Sequence, residues 1–295
     1  MLEHLNSSAR VPRRVVILGA QGFVGRASAR LLAAQGVPVL PLGRAEADLL
    51  AAGTASWLSH ELRPDDAVVV ISARAPCKDA AMLVDNVRMM ECACQALAPA
   101  SVSHVIYISS DAVYRDSCTP LTEGSCAEPN SLHGAMHLAR EVMLKSALTA
   151  PLAILRPTLL YGAADPHNGY GPNRFRRLAA ARQDIVLFGE GEEQRDHVLI
   201  DDVAEIVRRV LMHRSRGVLN LATGSVHSFR DIAERIAAMY DPPVPVRGSR
   251  RQGPMPHGGY RPFDSAASRQ AFPDFRYTDL ATGLAKAKTE HSQRM

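Results

Sequence analysis

The sequence predicts an α/β fold: a doubly wound parallel sheet with a smaller, interleaved C-terminal domain. Three observations carry this. Short apolar runs alternate with helical segments through the first half of the chain. A glycine triplet stands at the first strand-to-helix turn. After Tyr161 the texture changes to Gly, Pro, Asn and Asp, so the chain leaves the sheet there.

Residues 14–18 (Arg-Val-Val-Ile-Leu) are almost wholly apolar and end at a glycine, as a strand buried on both faces does. Residues 23–35 read as a helix with Val24, Ala27, Leu31 and Leu32 on one face. Further strands are expected at 37–42, 66–72, 104–109 and 152–156, and helices over 80–97 and 131–147. Beyond the break come a helix at 174–182, a strand at 185–188, a helix at 203–212 and a strand at 218–221. Ser228 then caps a helix to 239, and 241–262, rich in Pro and Gly, reads as a long loop. Residues 12–165 with 197–222 are assigned to the sheet domain, and 166–196 with 223–290 to the second.

The 295 residues are 46% hydrophobic and 22% charged, an ordinary globular balance with a formal net charge of only +4. No basic run is interleaved with aromatics, which argues against nucleic-acid binding. The five cysteines (77, 92, 94, 118, 126) show no C-x-x-C spacing and read as free thiols in a reducing cytosol. No apolar run is long enough to span a bilayer. A soluble, cytoplasmic protein is expected.

The triplet lies in Gly19-Ala20-Gln21-Gly22-Phe23-Val24-Gly25. Gly19 permits a tight turn, Gly22 lets backbone approach a pyrophosphate, and Gly25 lets the helix pack on the strand. The helix N-terminus then offers free N–H groups to the phosphates. The second strand ends at Gly43-Arg44 with no acid, and Arg26 follows the third glycine. An Arg there suits the 2′-phosphate of NADP, so NADP is expected as cofactor, with NAD as second choice.

These blocks, from about Arg14 to Asp264, resemble the extended short-chain dehydrogenase/reductase family of sugar-nucleotide epimerases, dehydratases and reductases. Matching segments include Asp48-Leu49, Ser72-Ala73, Asn86, Arg156-Pro157…Tyr161-Gly162 and Gly189-x-Gly191…Arg195-Asp196-His197-Val198…Asp201-Asp202-Val203. Asn220-Leu-Ala-Thr-Gly224 is another. The resemblance implies a Rossmann fold whose cofactor also meets Gln21, Phe23 and Val24. Asp48 and Leu49 would cap its adenine, with Ser72, Ala73 and Pro157 beside it.

It further implies that Ser110 holds a substrate carbonyl, and that a Tyr-x-x-x-Lys should follow on the next helix. The family pattern aligns on Pro129-Asn-Ser131-Leu-His133-Gly134-Ala-Met-His137-Leu-Ala-Arg-Glu141, so His133 replaces the Tyr and His137 the Lys. Three readings compete. His133 is an acid/base with His137 on the nicotinamide ribose, and the rate follows a group titrating near pH 6 to 7. Or the i, i+4 histidines bind a metal with Glu141 one turn on. Or redox turnover is lost and the protein only binds cofactor or ligand. No residue is set aside as a metal ligand.

Ser110-Asp111-Ala112 lacks the Glu of the family's 4,6-dehydratases, which argues against that reaction. Arg195 and Arg261 align with arginines that clamp a nucleoside diphosphate, and Asn173 with a substrate-binding Asn. A nucleotide-linked sugar is thus the expected substrate class. Among Arg174, Arg176, Arg177 and Arg182, at least two read as a solvated face. A homodimer through helices 80–97 and 131–147 is expected, with Leu132, Met136, Leu138 and Met143 as surplus apolar surface.

Overall fold

The structure, a computed structural model, describes residues 2–292. In chain order its strands and helices are β1 (Leu2–Glu3), β2 (Arg14–Leu18), α1 (Phe23–Ala34), β3 (Val39–Leu42), α2 (Thr54–Glu61), β4 (Asp66–Val70), α3 (Ala80–Ala100) and β5 (His104–Ile108). Next come α4 (Leu132–Ala147), β6 (Leu152–Pro157), β7 (Leu159–Tyr161), α5 (Pro172–Ala180), β8 (Ile185–Phe188), β9 (Gln194–Leu199) and α6 (Ile200–Met212). The chain ends with β10 (Arg216–Leu221), β11 (Val226–Ser228), α7 (Phe229–Ala238), β12 (Val246–Ser249), β13 (Tyr260–Arg261), α8 (Ala266–Ala271) and α9 (Leu280–Ser292).

One seven-stranded sheet runs β1-β10-β6-β5-β4-β2-β3, parallel throughout except for β1. Alternation along each strand feeds two cores. In β2, Val15 and Ile17 pack toward α1 and α6, while Val16 and Leu18 pack toward α2 and α3. Burial on both faces is why these strands read as continuous apolar runs.

The rest of the chain forms a smaller sheet, β11-β9-β13 with β7 also on β9, and the pair β12-β8. Its core gathers Phe175, Ile185, Leu187, Phe229, Ile232 and Leu284 from α5, β8, α7 and α9. The expected long loop at 241–262 is a correction: it contains β12, paired in parallel with β8 from Val246↔Ile185 to Ser249↔Phe188. Val246-Arg247-Gly248-Ser249 shows no apolar alternation, and only β8 makes it a strand. Elements α2, β9, α8 and α9 were also unmarked by sequence pattern. All five cysteines are free. Among the described residues no helix is long and apolar enough to cross a membrane.

Candidate active site

The glycine turn connects β2 to α1. Gly19 has φ +94°, and a β-carbon there would lie 2.6 Å from the Ser72 amide nitrogen at the end of β4. A β-carbon on Gly25 would strike the Gly19 carbonyl. Gly22 caps α1 without a side chain, and the first turn holds no acid, so its N–H groups and positive dipole end stay open to an anion. Val24 is buried, Phe23 half-buried and Gln21 exposed.

At the end of β3, Arg44 is 84% exposed, and its Nε donates to Asp48 at 3.1 Å. Glu46, two residues on, accepts the Gly43 N–H at 2.8 Å. Arg26 is also exposed and lines a cleft with Phe23, Ala163, Ile200 and Glu290. Leu49 is buried. The stretch after β4 is pinned twice. Ser72 N–H donates to the Leu18 carbonyl at 2.9 Å, and buried Asn86 accepts the Arg74 N–H at 2.9 Å. Ala73 is half-buried between them, and Pro157 is buried at the end of β6.

Ser110 follows β5 and opens a short turn over Asp111–Val113; its hydroxyl accepts the Ala112 N–H at 3.1 Å. The first turn of α4 lies directly on this turn. A β-carbon on Gly134 would collide with the Ala112 carbonyl, so only glycine lets the first turn of α4, which carries His133, lie on the turn that Ser110 opens. Ser131 caps the helix by accepting the Gly134 N–H at 3.2 Å.

His133 Nδ1 accepts the Cys77 backbone N–H at 3.4 Å, which leaves the proton of the neutral ring on Nε2. Burial lowers its pKa below the ordinary value, opposed by the nearby Asp111 charge. This departs from the expected titration near pH 6 to 7, because the sequence does not reveal the burial.

The His137 ring stands edge-on to that of His133, centroids 4.7 Å apart. Its Nδ1 pairs with the Tyr107 hydroxyl of β5 at 2.8 Å. Burial raises the Tyr107 pKa to about 12, so the phenol keeps its proton, and the pair is satisfied with that proton donated to Nδ1 and the ring's own proton on Nε2. Burial, His133 and Arg140 together hold His137 well below its ordinary pKa. His137 is therefore a neutral ring, unlike the lysine it aligns with.

Glu141 does not join the histidines. It is fully buried, takes a bidentate ion pair from Arg156 at 2.8 and 2.6 Å, and accepts from the Ser109 hydroxyl at 2.6 Å. Among the described residues no group of three His, Cys, Asp or Glu side chains is arranged for a metal. With Glu141 committed to Arg156, the metal reading loses its third ligand.

Arg195 and Arg261 are register partners on β9 and β13, and both reach Asp111. Arg261 donates to its carboxylate at 3.1 Å and its carbonyl at 2.7 Å, and Arg195 approaches at 3.6 Å. Arg261 also pairs with Asp116 at 2.6 Å, and His257 meets that same carboxylate at 2.5 Å. Asn173 is buried, accepting the Gly162 N–H at 3.0 Å and donating to the Leu160 carbonyl at 3.2 Å.

Residues 15–222 match the model of the NAD dependent epimerase/dehydratase family. The chain belongs to that family. It is similar to a dTDP-L-rhamnose 4-epimerase of Burkholderia thailandensis, 32% identical over 57% of this chain and 48% of that protein, just under half its length. A UDP-glucose 4-epimerase of Mycolicibacterium smegmatis is 28% identical over 92% of this chain and 96% of its own. Among solved structures, a GDP-L-fucose synthetase from Naegleria fowleri bound to NADP superposes with TM-score 0.84 over 99% of this chain and 97% of that one. At 16% identity that likeness shows the shared fold.

Within this epimerase/dehydratase fold the sequence reading missed Tyr107, Cys77, Asp116 and His257. Tyr107 left one trace: a polar-tipped ring inside a fully buried strand usually has a partner. Nothing local marks His257, which reaches Asp116 across 141 positions.

Proposed function

We propose that this family member is an NADP-dependent oxidoreductase or epimerase acting on a hydroxyl or keto group of a small molecule, most naturally a nucleotide-linked sugar. The observation that carries it is the seating of His133 on the Ser110 turn through Gly134. Support for the cofactor comes from the cradle at Gly19, which a β-carbon would fill, and from the uncapped N-terminus of α1. The pyrophosphate would lie there, the adenine against Asp48 and Leu49, and a 2′-phosphate beside exposed Arg44, with Arg26 as a second cation. Gln21, Phe23, Val24, Ser72, Ala73 and Pro157 would complete the contact. When bound, the nicotinamide supplies or accepts hydride.

Ser110 orients the reacting oxygen through its hydroxyl. His133 presents Nε2–H to that oxygen as a neutral donor, since the Cys77 N–H occupies Nδ1. His137 holds the nicotinamide ribose as a hydrogen-bonding ring rather than as a cation. Arg195 and Arg261 are the candidate diphosphate clamp, reached by exchanging Asp111 contacts for phosphate, and Asn173 shapes the adjoining wall.

A homodimer through α3 and α4 is supported by exposed Val84, Leu132 and Val142. Met136 does not contribute to that face, being fully buried within the chain, while Leu138 and Met143 are half-buried. The free thiols suit a reducing, cytoplasmic setting. Because the lysine is replaced by a neutral ring, a binding-only protein is the second reading.

The test is titration with NADP(H) and NAD(H), followed by turnover on UDP-glucose and dTDP-L-rhamnose, the sugars in the relatives' names. NADP should bind more tightly, and Arg44→Asp should erase that preference. His133→Ala and Ser110→Ala should abolish turnover with binding retained. The neutral-donor role predicts a rate that falls as pH drops through a value below the ordinary histidine pKa. A rate that instead rises there means that imidazolium is the acid. Binding without turnover at any pH establishes the second reading.

A further inference from the structure

Helix α4 turns one arginine inward beside its histidines. His133, His137 and Arg140 stand at i, i+4 and i+7, on one face of the helix. Arg140 is fully buried, and among the described residues it forms no ion pair with a carboxylate. Glu141, next to it in sequence, is taken by Arg156. The Arg140 Nη2 donates to the Ser72 carbonyl at 2.5 Å, its Nη1 reaches the Met136 sulfur at 3.8 Å, and its Nε is buried with no partner. The guanidinium carbon lies 5.3 Å from the centre of the Tyr107 ring.

Packing alone does not account for an arginine here. A guanidinium carries its charge into any interior, and an uncompensated buried charge is costly. A neutral amide would serve one carbonyl, and an aliphatic chain would cover the Tyr107 ring. What only a cation supplies is its field.

Tyr107 stands between Arg140 and His137, its ring beneath the guanidinium and its hydroxyl on His137 Nδ1 at 2.8 Å. The positive charge favours donation by that hydroxyl and opposes a second proton on His137. The groups around the histidine pair leave this field in place. Asp111 acts on His133. Glu141 opposes Arg140 at Tyr107 but is itself neutralised by Arg156. Burial raises the pKa of the Cys77 and Cys94 thiols, so both stay uncharged. At its other end Arg140 grips the cofactor cradle. Ser72 is the residue that a β-carbon on Gly19 would strike, and its N–H holds the Leu18 carbonyl.

We propose that Arg140 is a positioning residue of this site: its buried charge, relayed through Tyr107, keeps a single proton on His137, at Nε2, where the ring donates to the nicotinamide ribose. The cation absent from position 137 is thus supplied one turn further along α4. The ribose contact rests on the oxidoreductase reading; the charge relay does not.

The test separates charge from hydrogen bonding. Arg140→Gln keeps an N–H donor for the Ser72 carbonyl, Arg140→Met does not, and both remove the charge. Nitrogen-15 NMR of the full chain without cofactor follows the His137 ring from about pH 8 to 4. In the unaltered protein the ring should keep one proton, on Nε2, to well below the ordinary histidine range. Both variants should raise the pH at which it takes a second proton, by roughly one to two units. A His137 titration that stays unmoved in both variants, or moves only in Arg140→Met, overturns the proposal. Should one variant fail to fold, the shift in the other decides. These signals need neither cofactor nor turnover, so a failure of the oxidoreductase reading is seen separately, in NADP(H) binding.

Discussion

Glu141→Gln removes a negative charge from the interior and leaves Arg156 behind. The pair is sealed, with side chains 5% and 0% exposed, and its bidentate contacts are 2.8 and 2.6 Å. Burial alone would disfavour the Arg156 charge, but the Glu141 carboxylate and the Tyr114 hydroxyl at 2.8 Å hold it firmly protonated. Gln keeps the shape yet accepts only through one oxygen, so one guanidinium N–H faces an amide NH₂. Breaking one partner of a buried ion pair costs about 3–5 kcal/mol. For a chain of this size that is a fall in Tm of roughly 5–8 °C.

Lys145 cannot compensate, because it is 52% exposed and bonds through the same carboxylate at 3.8 Å. Urea unfolding followed by circular dichroism gives the cost. The double variant with Arg156→Met should be more stable than the sum of the singles by at least about 1 kcal/mol. A Glu141→Gln loss below about 1 kcal/mol, or strict additivity, would refute the reasoning that this pair anchors α4 to the sheet.

Two further outcomes follow from buried histidines. Tyr107→Phe strips the donor from His137 Nδ1 and should cost about 1–3 kcal/mol; nitrogen-15 NMR should show the Nε2–H tautomer in the unaltered protein and its loss in the variant. A proton on Nδ1 in the unaltered protein would contradict the assigned donor. His104 is held to about 4 by burial, so the unfolded chain binds its proton first as pH falls. Stability from this residue is complete above the unfolded value of about 6.5 and drains toward pH 4, worth roughly 3 kcal/mol. His104→Gln should flatten that slope in unfolding free energy measured from pH 7 to 4, and an unchanged slope would clear His104 of the effect.

The sheet was legible because its signals are local. A strand buried on both faces must be apolar at every position, as Val15 to Leu18 and Ala67 to Val70 are. The glycine turn was legible for the same reason, since a positive φ at Gly19 and the close approach at Gly25 restrict residue type directly. The register that set His133 and His137 on the helix face at the Ser110 turn rested on short-range spacing.

What only the tertiary structure decided concerns charge and partners. Asp111 found its partner only when Arg261, 150 positions away, closed on it. Glu141 stood one turn from a histidine pair and chose Arg156. His137 became a neutral ring through Tyr107 on another strand, and β12 became a strand through β8 alone. A pKa and a salt bridge depend on desolvation and on charges brought near by folding, and these have no local period in a sequence. Spacing along the chain determined which groups meet at the candidate site; burial by distant segments determined their protonation and their partners.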